Sequence, residues 1–211
     1  MDRKGVVYVI DDDADVRTSL TRLARSAGWD CAAFATAQHF LDEASFDEIG
    51  CVLLDVSMPG MTGPELHAQL LARGCGLPLI YLTGHGSVAI GVKAMRLGAF
   101  DFLEKPVDAE VLLPLLEAAI DQHADRCHKE RHLHEIRERL ATLSPREREV
   151  MDHVILGRLN KQIADDLDIS LKTVKVHRGR AMTKMQVRSV AELVHLCDVV
   201  GERPQVPRPV D

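Results

Sequence analysis

Val6-Val7-Tyr8-Val9-Ile10-Asp11-Asp12 is a five-residue apolar run that stops on two carboxylates. Three later stretches end in a similar way. Cys51-Val52-Leu53-Leu54 ends on Asp55, Leu77 to Leu82 on Thr83, and Phe100 to Glu104 on Lys105-Pro106. Strands that alternate with helical stretches predict a parallel sheet, and such sheets bind ligands at the carboxyl ends of their strands. Three carboxylates, a hydroxyl and an amine are therefore expected along one sheet edge, a set suited to holding a metal ion and transferring a phosphoryl group.

Outward from this run, the pattern from Gly5 to about Gln122 reads as five strand–helix units. A helix begins near Asp13 and closes at Gly28, before a short strand from Asp30 to Phe34. A helix from about Thr36 to Ser45 precedes the strand to Asp55. The turn Ser57-Met58-Pro59-Gly60-Met61-Thr62-Gly63 leads to a helix ending near Gly74. The next helix runs from Ser87 to about Leu97, stopped by Gly98, and the last of the set follows Asp108 as N-cap. Pro114 falls too late for its first turn and is expected to kink it or delay its start.

The net charge of −6 conceals an asymmetry: residues 1–122 carry 9 Lys/Arg against 18 Asp/Glu, and residues 123–211 carry 17 against 14. Six basic residues and no acidic one lie from Ile169 to Arg188. An acidic half joined to a half with a polyanion-facing surface is the implied arrangement. Five scattered cysteines without a C-x-x-C pair read as reduced thiols of a cytosolic protein. With no signal-like segment and no membrane span, a soluble cytoplasmic protein is expected.

Residues 123–143 are highly charged but keep Leu133, Ile136, Leu140 and Leu143 at 3, 4, 3 spacing, an amphipathic helix. His128 and His132 lie one turn apart there, too few ligands to define a metal site. Ser144-Pro145-Arg146-Glu147 starts a helix with a capping box and proline in the first position, ending near Gly157. A short helix from Lys161 to Leu167, one capped by Ser170 and reaching Met185, and one from Ser189 to Val199 give helix-turn-helix spacing. On the third, Lys172, Lys175 and Val176 group with Gly179, while Leu171, Val174, Ala181 and Met185 tend inward. A basic helix alone is often just a solvated face; the capped helix before it favours a groove-reading one.

An aspartate carboxylate can attack phosphorus to give an acyl phosphate. Two further carboxylates beside it would repel it unless a hard cation lies between them, and Mg²⁺ accepts oxygen ligands and keeps waters. Lys105 can neutralise a phosphoryl oxygen and Thr83 can hydrogen-bond one. Taken singly, an Asp after a strand is a turn residue and an Asp-Asp pair a helix cap; the ordered set at four strand ends points to phosphoryl chemistry.

Those residues carry a resemblance. Asp11-Asp12, then Leu54-Asp55-Val56-Ser57-Met58-Pro59-Gly60-Met61-Thr62-Gly63, Thr83-Gly84 and Lys105-Pro106 make residues 5–122 resemble a two-component receiver domain. The resemblance implies a flavodoxin-like, doubly wound α/β fold with a parallel five-stranded sheet. It implies that Asp55 accepts phosphate from a sensor kinase histidine, and that Asp11, Asp12, Asp55 and the Ser57 backbone carbonyl bind Mg²⁺. Thr83 and Lys105 would contact the phosphoryl group, and the Lys105–Pro106 bond would be cis. Phe102 matches the switch aromatic, where tyrosine is commoner; as an alternative it is an ordinary strand aromatic. No enzyme is implied beyond autophosphorylation and dephosphorylation at Asp55.

Asp11-x-Asp13, Thr83 and a later lysine also resemble haloacid-dehalogenase phosphatases, with Asp11 as nucleophile and Asp13 as general acid. That family needs another acidic pair after a strand. Here the only later pair, Asp165-Asp166, falls in a helical stretch, and the Asp55 loop has no role.

Leu143-Ser144-Pro145-Arg146-Glu147-Arg148-Glu149-Val150, Asn160-Lys161-Gln162-Ile163-Ala164, Ile169-Ser170, Thr173-Val174-Lys175-Val176-His177 and Lys184-Met185 resemble a LuxR-type DNA-binding domain. Receiver plus this domain is the architecture of NarL/FixJ-family response regulators. The division implied is a receiver at 1–122, a helical linker at 123–143, a small all-α helix-turn-helix domain at 144–200 and a disordered tail at 201–211. The candidate DNA contacts are Lys172, Thr173, Lys175, Val176 and Arg180. The family implies a phosphorylation-dependent transcriptional regulator whose partners are a sensor histidine kinase, promoter DNA, RNA polymerase and, when phosphorylated, a second copy of itself.

Overall fold

The computed structural model describes residues 5–84 and 94–204. The chain divides into two compact units, residues 1–127 and 128–211. In the first, β1 (Val6–Ile10), β2 (Asp30–Phe34), β3 (Gly50–Asp55), β4 (Leu79–Thr83) and β5 (Asp101–Glu104) form one parallel sheet in the order β2-β1-β3-β4-β5. Strand side chains alternate between faces, and here both faces are covered. Tyr8, Ile10, Val52, Leu54 and Tyr81 pack on one side with Phe40, Leu66 and Leu70. Val7, Val9, Leu53, Ile80 and Leu82 pack on the other with Leu20, Leu112, Leu116 and Ile120. Burial on both faces is why these strands read as unbroken apolar runs.

Helices α1 (Ala14–Ser26), α2 (Ala37–Glu43) and α3 (Gly63–Ala72) follow the first three strands. Asp13 caps α1, its Oδ1 accepting from the amides of Asp15 and Val16 at 2.8 and 3.3 Å. The second helix is shorter than the expected Thr36–Ser45. Ala44 already has extended backbone, and the Ser45 carbonyl accepts from the Tyr8 hydroxyl at 2.6 Å, which draws the chain out of the helix. Of the helix expected at 87–97, residues 85–93 lie outside the described residues; 94–96 are helical, and Gly98 ends them at φ 89°, a conformation suited to glycine.

Helix α4 (Ala109–Ala141) runs unbroken through the helix expected after Asp108 and the amphipathic stretch that follows it. Asp108 Oδ1 accepts from the Glu110 amide at 2.9 Å. Pro114 does not delay the start: the helix begins before it, and the proline nitrogen merely has no proton for the Glu110 carbonyl.

In the second unit, Ile136 and Leu140 of α4 share a core with residues from α5 (Pro145–Ile155), α6 (Asn160–Asp166), α7 (Leu171–Lys184) and α8 (Val190–Val199). Val150, Met151, Ile163, Val174, Ala181, Met185 and Leu193 fill it. Leu171, expected to face inward, is 45% exposed. It is the first helical residue after the Ser170 cap, and the burial of that turn falls on Val174. Ser144 and Ser170 cap α5 and α7 as the sequence predicts, and Ser189, expected as the first residue of the last helix, caps α8 instead. Residues 205–211 of the expected tail lie outside the described residues, while Glu202 accepts from Arg148. Among the described residues, no helix is long and apolar enough to cross a membrane.

Candidate functional site

Strand register brings the acidic residues together. Ile10 pairs with Leu54, so Asp11 and Asp55 leave adjacent strands side by side, and Asp55 in turn pairs with Leu82, next to Thr83. The Lys105 amide donates to the Thr83 carbonyl at 2.7 Å, anchoring the lysine at the same edge. Its Nζ lies 2.6 Å from Asp11 Oδ2 and 2.5 Å from Asp55 Oδ1. The other oxygens are also held: Asp55 Oδ2 accepts from the Ser57 amide at 2.7 Å, and Asp11 Oδ1 from the Asp13 amide at 3.0 Å. Asp11, Asp55 and Thr83 are buried, whereas Asp12 and Ser57 are exposed. The Lys105–Pro106 peptide is cis. Phe102 pairs with Tyr81 across the sheet and packs, half-buried, on the core beside it.

An ideal Cβ on Gly63 would lie 2.5 Å from the Asp55 carbonyl oxygen. Only glycine lets α3 begin this close to the end of β3, and that contact fixes the course of the turn after Asp55.

Of the three carboxylates expected along this edge, Asp11 and Asp55 share the Lys105 ammonium, and Asp12 is exposed at the end of β1. Among the described residues no three His, Cys, Asp or Glu side chains are grouped to hold a metal ion as they stand. Burial pushes the Asp11 carboxyl above its usual range, against the opposing pull of Lys105 and the Asp13 amide. Burial pulls Lys105 down, but the two carboxylates outweigh it and its net shift is upward. One cation for two buried anions leaves negative charge uncompensated. The oxygen donors of Asp11, Asp55, Asp12 and the Ser57 carbonyl are a hard set that fits Mg²⁺ in chemistry and in charge.

Asp13, the general acid of the phosphatase alternative, has its carboxylate engaged on the first turn of α1. Asp165 and Asp166 are both helical.

On α7 the basic residues divide into two groups. Lys172, Lys175 and Arg180 are exposed, as is Val176 at 43%. Lys175, Val176, Gly179, Arg180 and Thr183 line a shallow depression. Thr173 serves the helix cap, its amide donating to Ser170 Oγ at 3.1 Å and its hydroxyl lying 2.7 Å from the same oxygen. Arg178 donates to Asn160 Oδ1 at 2.8 Å. Lys184 donates to Glu147 Oε2 at 2.6 Å and to the Thr142 carbonyl at 2.9 Å. With the Lys184 ammonium first and the Ser144 amide second, Glu147 is held down to about 2. Among the described residues an added Cβ at Gly179 would meet nothing within 4 Å, so packing against another described helix does not explain this glycine.

Three residues escaped sequence reasoning. Arg17 donates to the Asp11 carbonyl at 2.7 Å and so steadies the acidic turn; its place one turn into α1 was the available signal. Buried His123, not His128 or His132, has the structural role among the linker histidines, its Nδ1 accepting from the Gly50 amide at 3.1 Å. Glu147 was read as half of a capping box, and its pairing with Lys184 across 37 residues has no local signal.

Comparison with known proteins identifies both units. Residues 7–117 match the model of the response regulator receiver domain, and residues 141–197 match that of bacterial regulatory proteins of the luxR family. The transcriptional regulatory protein FixJ of Bradyrhizobium diazoefficiens is 47% identical over 95% of this chain and 98% of its own length. The response regulator protein TodT of Pseudomonas putida is 40% identical over 93% of this chain and 87% of its own. Among solved structures, the response regulator StyR superposes with a TM-score of 0.88 at 41% identity, covering 92% of this chain and 98% of that one. A receiver domain followed by a luxR-type helix-turn-helix, in a chain that matches these relatives over nearly its whole length, places it in the NarL/FixJ family of two-component response regulators, which couple phosphorylation to the control of transcription.

Proposed function

We propose that Asp55 is the phosphoacceptor for a sensor histidine kinase, and that its phosphorylation drives dimerisation and promoter binding. The observation that carries this reading is the Asp55 carboxylate at the end of central β3, held by Lys105 on one oxygen and by the Ser57 amide on the other.

An Asp55 oxygen attacks phosphorus while the P–N bond to the kinase imidazole breaks, the electron pair leaving with the nitrogen; the product is an acyl phosphate. Lys105 moves from the carboxylate to a phosphoryl oxygen, and the Thr83 hydroxyl bonds another, both acting where charge accumulates. Asp11, Asp12, Asp55 and the Ser57 carbonyl would hold Mg²⁺, which when bound supplies the positive charge that Lys105 alone does not. Movement of Thr83 toward the phosphoryl group and of Phe102 into the vacated space favours a second receiver state; differential contact with the phosphoryl group is its energy source. A dimer of that state presents two recognition helices to two half-sites, with Lys172, Lys175 and Arg180 on phosphates or base edges, Val176 against a thymine methyl, and Thr173 beside them. RNA polymerase is the downstream partner.

Incubation with acetyl phosphate and Mg²⁺, followed by mass measurement, sedimentation and DNA titration on the same sample, tests the scheme. One phosphoryl mass should appear, with a dimer and tighter DNA binding, and Asp55→Asn should abolish all three while keeping the native circular dichroism spectrum. A mass gain that survives Asp55→Asn but not Asp11→Asn would put the phosphatase reading ahead.

A further inference from the structure

At the edge of the receiver sheet away from Asp55, around the start of β4, lies a cavity of about 340 Å³. Leu70, Leu77 and Phe100 give it an apolar wall, and His67, Gln122 and Arg126 bring polar groups to it. Phosphoryl transfer and DNA binding make no use of it. An ideal Cβ on Gly76 would lie 1.2 Å from an Arg126 guanidinium nitrogen and 2.4 Å from its central carbon. Glycine at 76 is therefore what admits the guanidinium at this wall. A guanidinium has five N–H donors in a fork that matches a carboxylate, so a partner on one edge leaves another edge for a ligand.

The second polar group connects the cavity to the turn after Asp55. His67 is 2% exposed, and burial lowers its pKa, favouring the neutral ring. Its Nδ1 lies 3.1 Å from the Tyr81 hydroxyl, which in turn lies 3.5 Å from the Gly63 carbonyl. With Nδ1 engaged, Nε2 is the ring nitrogen left for the cavity. In a neutral imidazole only one nitrogen carries the proton. If Nδ1 carries it, the hydroxyl is free to donate to Gly63; if Nε2 carries it, Nδ1 accepts from the hydroxyl and Gly63 loses its donor.

We propose that this cavity binds a small organic carboxylate with an apolar body, through Arg126 and the Nε2–H of His67, and that occupancy is passed through Tyr81 to Gly63 in the turn after Asp55. An anion selects the Nε2–H form, turning the Tyr81 hydroxyl from Gly63 toward His67. The volume lies near the lower end of ligand pockets, about 300 to 1,000 Å³, which suits a single ring bearing one acid group.

Benzoate and its neutral counterpart benzamide serve as probes, titrated into the full chain while amide resonances are followed. Benzoate should shift Gly76, Leu77 and Gly63 and bind about tenfold more tightly than benzamide, the discrimination expected from a charge-assisted bond. Gly76→Ala, which evicts the guanidinium, and Arg126→Gln, which keeps the glycine, should each remove that preference. Tyr81→Phe should keep the shifts at Gly76 and Leu77 but lose the one at Gly63. Equal binding of the two probes, or no shift up to about 10 mM benzoate, would overturn the site; a Gly63 shift that persists in Tyr81→Phe would overturn the relay. No phosphoryl transfer enters the measurement, so its failure is distinct from failure of the Asp55 assignment.

Discussion

Asp11 and Asp55 draw on the same ammonium, and the deficit falls on Asp11, the one with no exposure. A carboxyl whose folded pKa is raised favours folding below its ordinary value of 3.8, and that advantage is lost as pH rises through the raised value. At neutral pH the ionised Asp11 is therefore a destabilising group in the metal-free protein. Asp11→Asn should raise stability there by on the order of 1 kcal/mol, measured by urea unfolding at pH 7, and the gain should shrink as the pH is lowered. Added Mg²⁺ should stabilise the parent more than the variant. A variant less stable than its parent in metal-free buffer would contradict this charge deficit. The strand-end identities were legible in the sequence because a run of apolar residues and its stop are adjacent. That Lys105 would take both carboxylates, 94 and 50 residues away, was not, since side-chain pairing is settled by the assembled sheet.

Secondary-structure elements were most legible where their determinants are local. Ser144, Ser170 and Ser189 each cap an amide three residues on, a signal contained in four letters. Elements were misjudged where a distant group decides: the Tyr8 hydroxyl, 37 residues away, draws the chain out at Ser45. Within α7, Gly179 has open space where a Cβ would be and lies in the helix interior, where glycine costs about 1 kcal/mol relative to alanine. Gly179→Ala should therefore stabilise the second unit by up to about 1 kcal/mol, read as a higher thermal midpoint. If the glycine is there to let DNA approach the backbone, the same variant should bind DNA more weakly; unchanged stability would mean that the helix is already strained or frayed at that point.

For the whole molecule, charge separates along the chain, with an acidic first half and six basic residues clustered from Ile169 to Arg188. The parallel sheet and the helical second unit were both legible because short unbroken apolar runs that stop on polar residues differ plainly from apolar residues at helical spacing. How many of the basic residues remain available was not, because Arg178 and Lys184 are engaged within the protein. DNA affinity should depend on the exposed set. Replacing Lys172, Lys175 or Arg180 singly by alanine should lower the slope of log affinity against log salt by about one when the lost group meets a phosphate. Unchanged slopes in all three would contradict this placement of the recognition surface.

The shared ammonium also bears on mimicry. Glutamate is a customary stand-in for a phosphorylated acid, but at position 55 it would bring one more methylene and no more charge than the aspartate it replaces. A phosphoryl group adds about −1.5 to −2 of charge and three acceptor oxygens, enough to draw Lys105 away from Asp11; a second carboxylate of equal charge merely continues the existing pairing. Asp55→Glu should therefore be silent rather than permanently switched on, with a sedimentation profile and DNA affinity close to those of the unphosphorylated parent. A constitutive dimer in that variant would show that length at position 55, not charge, is what the receiver reads.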